Sequence, residues 1–272
     1  MEFKNTYVCN FENAFRGLRN PLESWDRSDS KFGIAHTEHC DYEWDVAKDY
    51  CEKNKFEIDA FHNFTTKEQY AKWLWENGIL RNKDHYLEYA FIGPNDLDLA
   101  HRMIKAGTSD SKFLRQIFVS VDITAPLYWW KEFDTYKVGT VANSTSTMHK
   151  LASTPITLDC FETDDFVSNL SLKDVGYEDG VISFLTEDFA ESLINNLETL
   201  RLKYLETKDK KYWKELIRWL PNGWLQTRTV TLNYAVLRNQ YFQRRKHKLT
   251  EWHRYCDWID SLPYADDLIT YK

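Results

Sequence analysis

A nine-residue stretch in the middle of the chain alternates between two kinds of position. One set is aliphatic, Ile117, Val119, Val121 and Ile123, and the other is Phe118, Ser120, Asp122 and Thr124. Because a strand turns successive side chains to opposite faces, this period of two predicts a β-strand over 116–124. Pro126 then suits the first turn of a helix. The predicted order is strand, helix, and a Ser/Thr-rich loop that begins after Gly139.

Helical spacing is found on both sides of that stretch. One predicted helix begins at Asn95, is capped by Asn95 with Asp98 three residues on, and ends at Gly107. A second lies near Lys67 to Asn77 and stops at Gly78. Residues 151–185 are rich in acidic and Ser/Thr residues, which is typical of loops with short strands.

The C-terminal part has the spacing of amphipathic helices throughout. Their apolar residues recur every three or four positions, as helices require. The four sets are Phe189, Leu193, Ile194, Leu197, Leu200, Tyr204 and Leu205; then Trp213, Leu216, Ile217 and Leu220 before Pro221; then Val230, Tyr234, Leu237 and Tyr241; and last Trp252, Tyr255, Ile259 and Leu262. We therefore predict a helical C-terminal half.

Composition narrows the class of protein. With 272 residues, 16% aromatic and 28% charged, the chain can bury a sizeable core, and we predict a single domain over 1–272 with an elaborated N-terminal part over 1–92. A formal net charge of −7 argues against nonspecific binding of nucleic acid. Without a recognisable signal peptide or membrane-spanning run, a cytoplasmic location is expected. The five cysteines are scattered, which favours reduced thiols: Cys9, Cys40, Cys51, Cys160 and Cys256.

The polar loop belongs to a longer motif. Ala125-Pro126 opens a helix that leads to Thr135-Tyr136-Lys137, and a loop follows from Thr140 to His149. This order resembles the signature of flavin-dependent thymidylate synthases. Their pattern is Ala-Pro, a helix ending in Arg-His-Arg, and a loop of the form Ser-x-Asn-Glu-x-Ser-x-Arg-Tyr. In this chain the loop has one extra residue, and Thr135, Tyr136 and Met148 occupy positions that are cationic in the family.

A second set of residues matches the family's C-terminal half. Arg218, Leu220-Pro221, Thr227-Arg228 and Arg245 stand in the family's order. The resemblance implies that Arg218 and Arg245 bind a nucleotide phosphate together with the Ser146 hydroxyl. A guanidinium fork suits this task because it gives a phosphate two parallel charge-assisted hydrogen bonds. The simpler alternative is that both arginines are solvated, Arg218 on the polar side of a helix and Arg245 in a basic run near a helix end.

The resemblance also implies a fold, an assembly and cofactors. The family fold is α/β, with helices around a central sheet, and it forms a homotetramer. FAD would bind near Lys137, Asn143 and Ser144, with a folate one-carbon donor and NADPH needed if the family reaction is retained. Three missing charge-assisted contacts at about 1.5 kcal/mol each would weaken flavin or nucleotide binding by roughly a thousandfold without compensation.

A further departure from the family pattern concerns the flavin. The family's His before the central strand is replaced within Ser109 to Phe113. Trp129, Trp130 or Tyr136 could compensate by stacking on a ring, whereas the two tryptophans could equally be core residues of their helix.

Three functions are therefore open. The first is a divergent flavin-dependent thymidylate-synthase-like enzyme that acts on C5 of a pyrimidine deoxynucleotide monophosphate. The second is a nucleotide-binding or assembly module that no longer uses flavin, and the third is a purely structural role. Nucleotide binding is favoured over flavin chemistry. A weaker alternative is a zinc site, because His36, His39, Cys40 and Cys51 are residue types that bind zinc.

Overall fold

The computed structural model describes residues 1–36, 82–83, 86–136, 138–163, 170–171, 183–184 and 186–272. The predicted helix near Lys67 to Asn77 lies outside these residues, and so do His39, Cys40 and Cys51 of the possible zinc site, whose fourth residue, His36, ends a strand. The strands are β1 Glu2–Cys9, β2 Lys31–His36, β3 Asn82–Lys83, β4 Tyr86–Phe91, β5 Phe118–Pro126, β6 Val141–Ser144, β7 Leu170–Ser171, β8 Ser183–Phe184 and β9 Leu225–Asn233. The α-helices are α1 Phe11–Arg19, α2 Pro94–Ala106, α3 Leu127–Phe133, α4 Thr147–Lys150, α5 Thr186–Thr207, α6 Lys210–Arg218, α7 Tyr234–Arg244 and α8 Thr250–Asp260.

The largest sheet has the strand order β1-β5-β9-β6, and a smaller antiparallel one has the order β2-β4-β3. Strands β5 and β9 run antiparallel. The amide of Leu127 donates to the carbonyl of Trp224 at 3.0 Å, and the amide of Tyr234 donates to that of Ile117 at 3.1 Å. These two bonds lie at opposite ends of the strand pair and fit a single antiparallel register. The predicted central strand is confirmed, with bounds two residues further on than the alternation indicated.

The prediction of a third C-terminal helix from Val230 was wrong in its first part. Residues Leu225–Asn233 form strand β9, and helix α7 begins only at Tyr234. Asn233 caps this helix by accepting from the amide of Val236 at 3.1 Å. The physical reason is that pairing with β5 satisfies the backbone of β9, and tertiary pairing outweighs a coincidental helical spacing. The other three predicted C-terminal helices are confirmed as α5, α6 and α8.

Helix α2 also differs from its prediction at one end. Its N-cap is Gly93 and makes no side-chain cap, so the predicted cap by Asn95 is wrong. The carboxylate of Asp29 takes that role from elsewhere in the chain, since it accepts from the amides of Asn95 at 2.8 Å and Asp96 at 3.1 Å. The predicted end at Gly107 is confirmed, with a positive φ of 120° that favours glycine.

The chain divides into two compact units. The first comprises Met1–Lys4, Asp122–Lys137 and Ala142–Thr229, and the second comprises Asn5–Val121, Val138–Val141 and Val230–Lys272. The first unit has a core cluster of four buried residues, Leu151, Ile156, Leu197 and Leu216, with partly buried hydrophobic side chains around them. Among the described residues, no helix combines the length and apolar character needed to cross a bilayer.

The second unit is organised around aromatic side chains and one buried ion pair. The ring of Phe11 meets that of Tyr234 edge-on at 5.7 Å. Arg19 donates to Asp96 at 2.5 Å, and both side chains are almost fully buried. The second carboxylate oxygen of Asp96 accepts from Ser28 and Ser30 hydroxyls at 2.7 and 2.5 Å. The charge of Asp96 is thus compensated on both oxygens.

We expect Asp96→Ala to destabilise the protein by about 3–5 kcal/mol, because it leaves the Arg19 charge buried without its partner. Urea unfolding followed by circular dichroism measures this. The matched control is Asp98→Ala on the same helix, where an exposed pair with Arg102 is lost and the expected change is below about 0.5 kcal/mol. Equal losses in the two variants would contradict a structural role for the buried pair.

Candidate functional site

The polar loop of the sequence motif belongs to the first unit from Ala142 onward. Strand β6 leads through Thr145 to Ser146, and α4 follows. Ser146 is half-buried, and its carbonyl accepts from the amide of Lys150 at 2.9 Å. Asn143 and Ser144 are exposed on β6. Lys137 lies outside the described residues, so its predicted role stays a prediction.

Helix α6 carries Arg218, the first arginine of the predicted phosphate site. Asp209 caps the helix by accepting from the amide of Lys211 at 3.0 Å. Leu216 is fully buried, whereas the side chain of Arg218 is 50% exposed at the helix end and pairs with Glu215. Glu215 also accepts from the indole of Trp219 at 3.0 Å. Arg218 therefore lies on the polar side of its helix, in an i,i+3 ion pair.

The loop of Ser146 and the helix of Arg218 are built on the same core. Leu151, at the end of the loop segment, and Leu216 belong to one buried cluster in the first unit. The indole of Trp213 on α6 also donates to the carbonyl of Met148 at 3.3 Å. The structure thus brings two of the three predicted phosphate-binding residues onto elements that pack together.

Arg245, the third predicted residue, belongs to the second unit and follows α7. It pairs with Asp257 and, at 3.5 Å, with Asp260, and its guanidinium lies 5.7 Å from the centroid of the Tyr241 ring. The hydrogen bond to Asp257 raises the pKa of Arg245 above its usual value. This cation is surrounded by two carboxylates, which together outweigh its charge.

The helix after Ala125-Pro126 contributes core residues and not stacking surfaces. Trp129 and Trp130 are fully buried. The Trp129 ring stacks on that of Phe133 at 5.0 Å, and the Trp130 indole donates to the carbonyl of Gln226 at 2.9 Å. The alternative in which the tryptophans stack on a flavin or base is therefore wrong, and the core alternative is confirmed.

Arg228 has contacts that the sequence motif does not indicate. Its guanidinium donates to Asp134 at 2.7 Å and to the side chain of Gln226 at 3.0 Å, and it lies 4.3 Å from the Trp130 ring centroid. Its side chain is only 15% exposed. The signal in the sequence is that residues 226 and 228 place polar side chains on alternate positions of one strand, which is visible only once 225–233 is assigned as a strand.

No metal-binding group of three or more His, Cys, Asp or Glu side chains occurs within the described ranges. Cys256 is fully buried, and burial raises the pKa of its thiol to about 12. A thiol with such a pKa stays protonated near neutral pH, and the thiolate is the nucleophile. Cys256 is therefore not an activated nucleophile.

The described fold and site define a protein of mixed helices and sheets that presents a Ser/Thr loop and an arginine-bearing helix on one core. No family model matches the sequence, and neither does any curated protein. The fold is similar to that of thymidylate synthase X (ThyX) from Helicobacter pylori with FAD and dUMP, at a TM-score of 0.53 and 14% identity over 99% of this chain and 97% of that one. Another structure, described as flavin-dependent thymidylate synthase ThyX from the same organism complexed with FAD and dUMP, matches at a TM-score of 0.45 and 17% identity, over 65% of this chain and 82% of that one.

Thr135 and Tyr136, the described residues at positions that are cationic in the sequence motif, offer no charge to a flavin phosphate. The Thr135 hydroxyl donates to the carbonyl of Glu132 at 2.7 Å within its own helix end. Neither Thr135 nor Tyr136 carries a positive charge, and the neighbouring tryptophans are buried in the core.

We expect Cys256 to stay unmodified by a thiol reagent at pH 8, while the partly exposed Cys160 reacts. The raised pKa keeps the Cys256 thiol protonated at pH 8, so Cys256 should react only above its own pKa or after unfolding. Peptide mass spectrometry after iodoacetamide treatment measures both sites in one sample. Modification of Cys256 at the rate of Cys160 in the folded protein would overturn this expectation.

Proposed function

We propose that this chain binds a pyrimidine deoxynucleotide monophosphate, with its phosphate held by Ser146 and Arg218. The observation that carries the proposal is that the Ser146 loop and the Arg218 helix pack on one core in the first unit. The fold similarity to a thymidylate synthase solved with dUMP supports the choice of nucleotide. This is the function of a nucleotide-binding module on a thymidylate-synthase-like scaffold.

Energetics favour Arg218 as the anion-binding arginine. Its pair with Glu215 joins side chains that are 50% and 40% exposed, and such surface pairs are worth only about 0–1 kcal/mol. A charge-assisted hydrogen bond to a phosphate contributes about 1.5–3 kcal/mol, so the phosphate can replace the carboxylate with a net gain. Replacement of the Glu215 carboxylate by a phosphate at Arg218 is therefore favourable.

Arg245 is less favourable for a phosphate by the same argument. Asp257 and Asp260 give its surroundings a negative balance, which repels an incoming anion. Its role as a phosphate ligand stays a prediction from the family resemblance. Arg245→Ala tests it on its own, and an unchanged dUMP affinity would remove Arg245 from the set.

We expect Arg218→Ala to weaken dUMP binding by about tenfold or more, because one charge-assisted contact is worth at least about 1.4 kcal/mol. Isothermal titration calorimetry measures this. Glu215→Gln should strengthen binding, because it removes the competing carboxylate and its repulsion of the phosphate. Lys214→Ala is the matched control, since it removes an exposed positive charge from the same helix. If Lys214→Ala lost as much dUMP affinity as Arg218→Ala, the loss of any nearby positive charge would explain the effect, and a direct Arg218 contact would be contradicted.

The second candidate is a divergent flavin-dependent thymidylate-synthase-like enzyme that acts at C5 of the nucleotide. It is favoured by the fold similarity to a ThyX structure that contains both FAD and dUMP. Lys137, Asn143 and Ser144 are then the proposed flavin-site residues. The folate donor, NADPH and a homotetramer accompany this candidate as predictions of the family resemblance.

The two candidate functions predict different results for bound flavin and for formation of a methylated product. If the protein is a nucleotide-binding module without flavin, we expect the purified protein to lack the visible absorbance of oxidised flavin and to gain none on dialysis against FAD. It should still bind dUMP. Bound flavin, or a methylated product formed with folate and a reductant, would overturn the first candidate in favour of the second.

A further inference from the structure

Gln226 connects the buried face of β9 to the loop of Ser146. Its side-chain nitrogen donates to the carbonyl of Thr145 at 3.0 Å and to the hydroxyl of Thr147 at 3.2 Å. These are the residues immediately before and after Ser146. Gln226 is 9% exposed, so its contacts are formed largely out of water. The Gln226 side chain therefore holds the loop on both sides of Ser146, the residue proposed to bind the phosphate.

The orientation of the Gln226 amide is determined by Arg228. A guanidinium has only donors, so the side-chain oxygen of Gln226 must face it, and it accepts from Arg228 at 3.0 Å. The amide nitrogen is then directed to the loop, where it meets two acceptors. Glutamine suits this place because its side chain accepts at one end and donates twice at the other.

Arg228 is itself held from two further directions. Asp134, at the end of α3, accepts from the guanidinium at 2.7 Å, and the ring of Trp130 lies under it at 4.3 Å. The Trp130 indole also donates to the backbone carbonyl of Gln226 at 2.9 Å. Because Trp130 is fully buried, this end of the network is anchored in the core of the first unit.

We propose that Gln226, oriented by Arg228, is a positioning residue that fixes the Ser146 loop for binding the phosphate of the nucleotide. This proposal rests on the proposed function, in which Ser146 contacts the phosphate. The network acts in sequence: Asp134 and Trp130 hold Arg228, Arg228 orients the amide of Gln226, and Gln226 holds Thr145 and Thr147. The network affects binding of the phosphate, because Ser146 is the loop residue between Thr145 and Thr147.

The test uses Gln226→Glu in the full chain. Glutamate keeps the length of the side chain and an acceptor for Arg228, but at neutral pH it loses both donors and turns a negative oxygen toward the Thr145 carbonyl. We expect dUMP affinity to fall by about tenfold, as for the loss of one well-placed charge-assisted contact. Affinity for deoxyuridine, which lacks the phosphate, should be unchanged. Competition measured by saturation-transfer NMR compares the two ligands.

A second measurement follows the loop without any ligand. Hydrogen exchange at the amides of Thr145, Lys150 and Leu151 should accelerate in Gln226→Glu, while exchange in helix α5 stays as in the wild type. Thr229→Val is the matched control, because it removes a hydrogen bond to Asp122 at 2.5 Å from the other face of the same strand. That variant should leave both the loop and the nucleotide affinity unchanged.

The possible results separate this inference from the proposed function. If the wild type binds no dUMP, the proposed function fails and the positioning role fails with it. If the wild type binds dUMP and Gln226→Glu binds it equally well, only the positioning role is overturned. Equal losses for dUMP and deoxyuridine would indicate general damage to the fold and would also overturn it.

Discussion

The antiparallel register of β5 and β9 is the constraint on which the candidate site depends. Because side chains alternate between faces, a slip of one residue would turn every side chain of β9 to the opposite face. In the observed register, Thr124 meets Thr227 at 2.7 Å and Asp122 meets Thr229 at 2.5 Å on one face. The other face then receives Gln226 and Arg228. A slip would expose these two polar groups and remove the support of the Ser146 loop.

How much of this could be predicted depends on whether a pattern is local. Strand β5 was predictable because Val119, Val121 and Ile123 alternate strictly and are all buried. Strand β9 was not, because Val230, Tyr234, Leu237 and Tyr241 follow helical spacing across a boundary where the strand ends. The alternation of Thr227, Thr229 and Thr231 was present, but only pairing with β5 decides between the two periods.

In the candidate site, the sequence indicates which residues to consider, but most of their contacts depend on tertiary structure. Ser146, Arg218 and Arg245 could be chosen from the order of motifs. The pairing of Arg218 with Glu215 is also local, since three residues separate them on one helix. Asp257, by contrast, meets Arg245 only through the packing of α7 and α8, and Asp29 caps α2 from more than sixty residues away in sequence. No spacing rule gives those contacts, because they depend on tertiary structure.

Burial separates two arginines of the first unit, Arg218 and Arg228, and gives them different roles. Arg218 is half exposed, so water can replace either member of its ion pair and a phosphate can take the place of Glu215 at little cost. Arg228 is 15% exposed and has an acceptor on Asp134, an acceptor on Gln226 and an aromatic ring beneath it. Removing any of these contacts leaves a largely buried charge less compensated and therefore destabilises the first unit. Ligand exchange is therefore favourable at the exposed arginine, whereas the buried arginine is restricted to a structural role that keeps the loop in place.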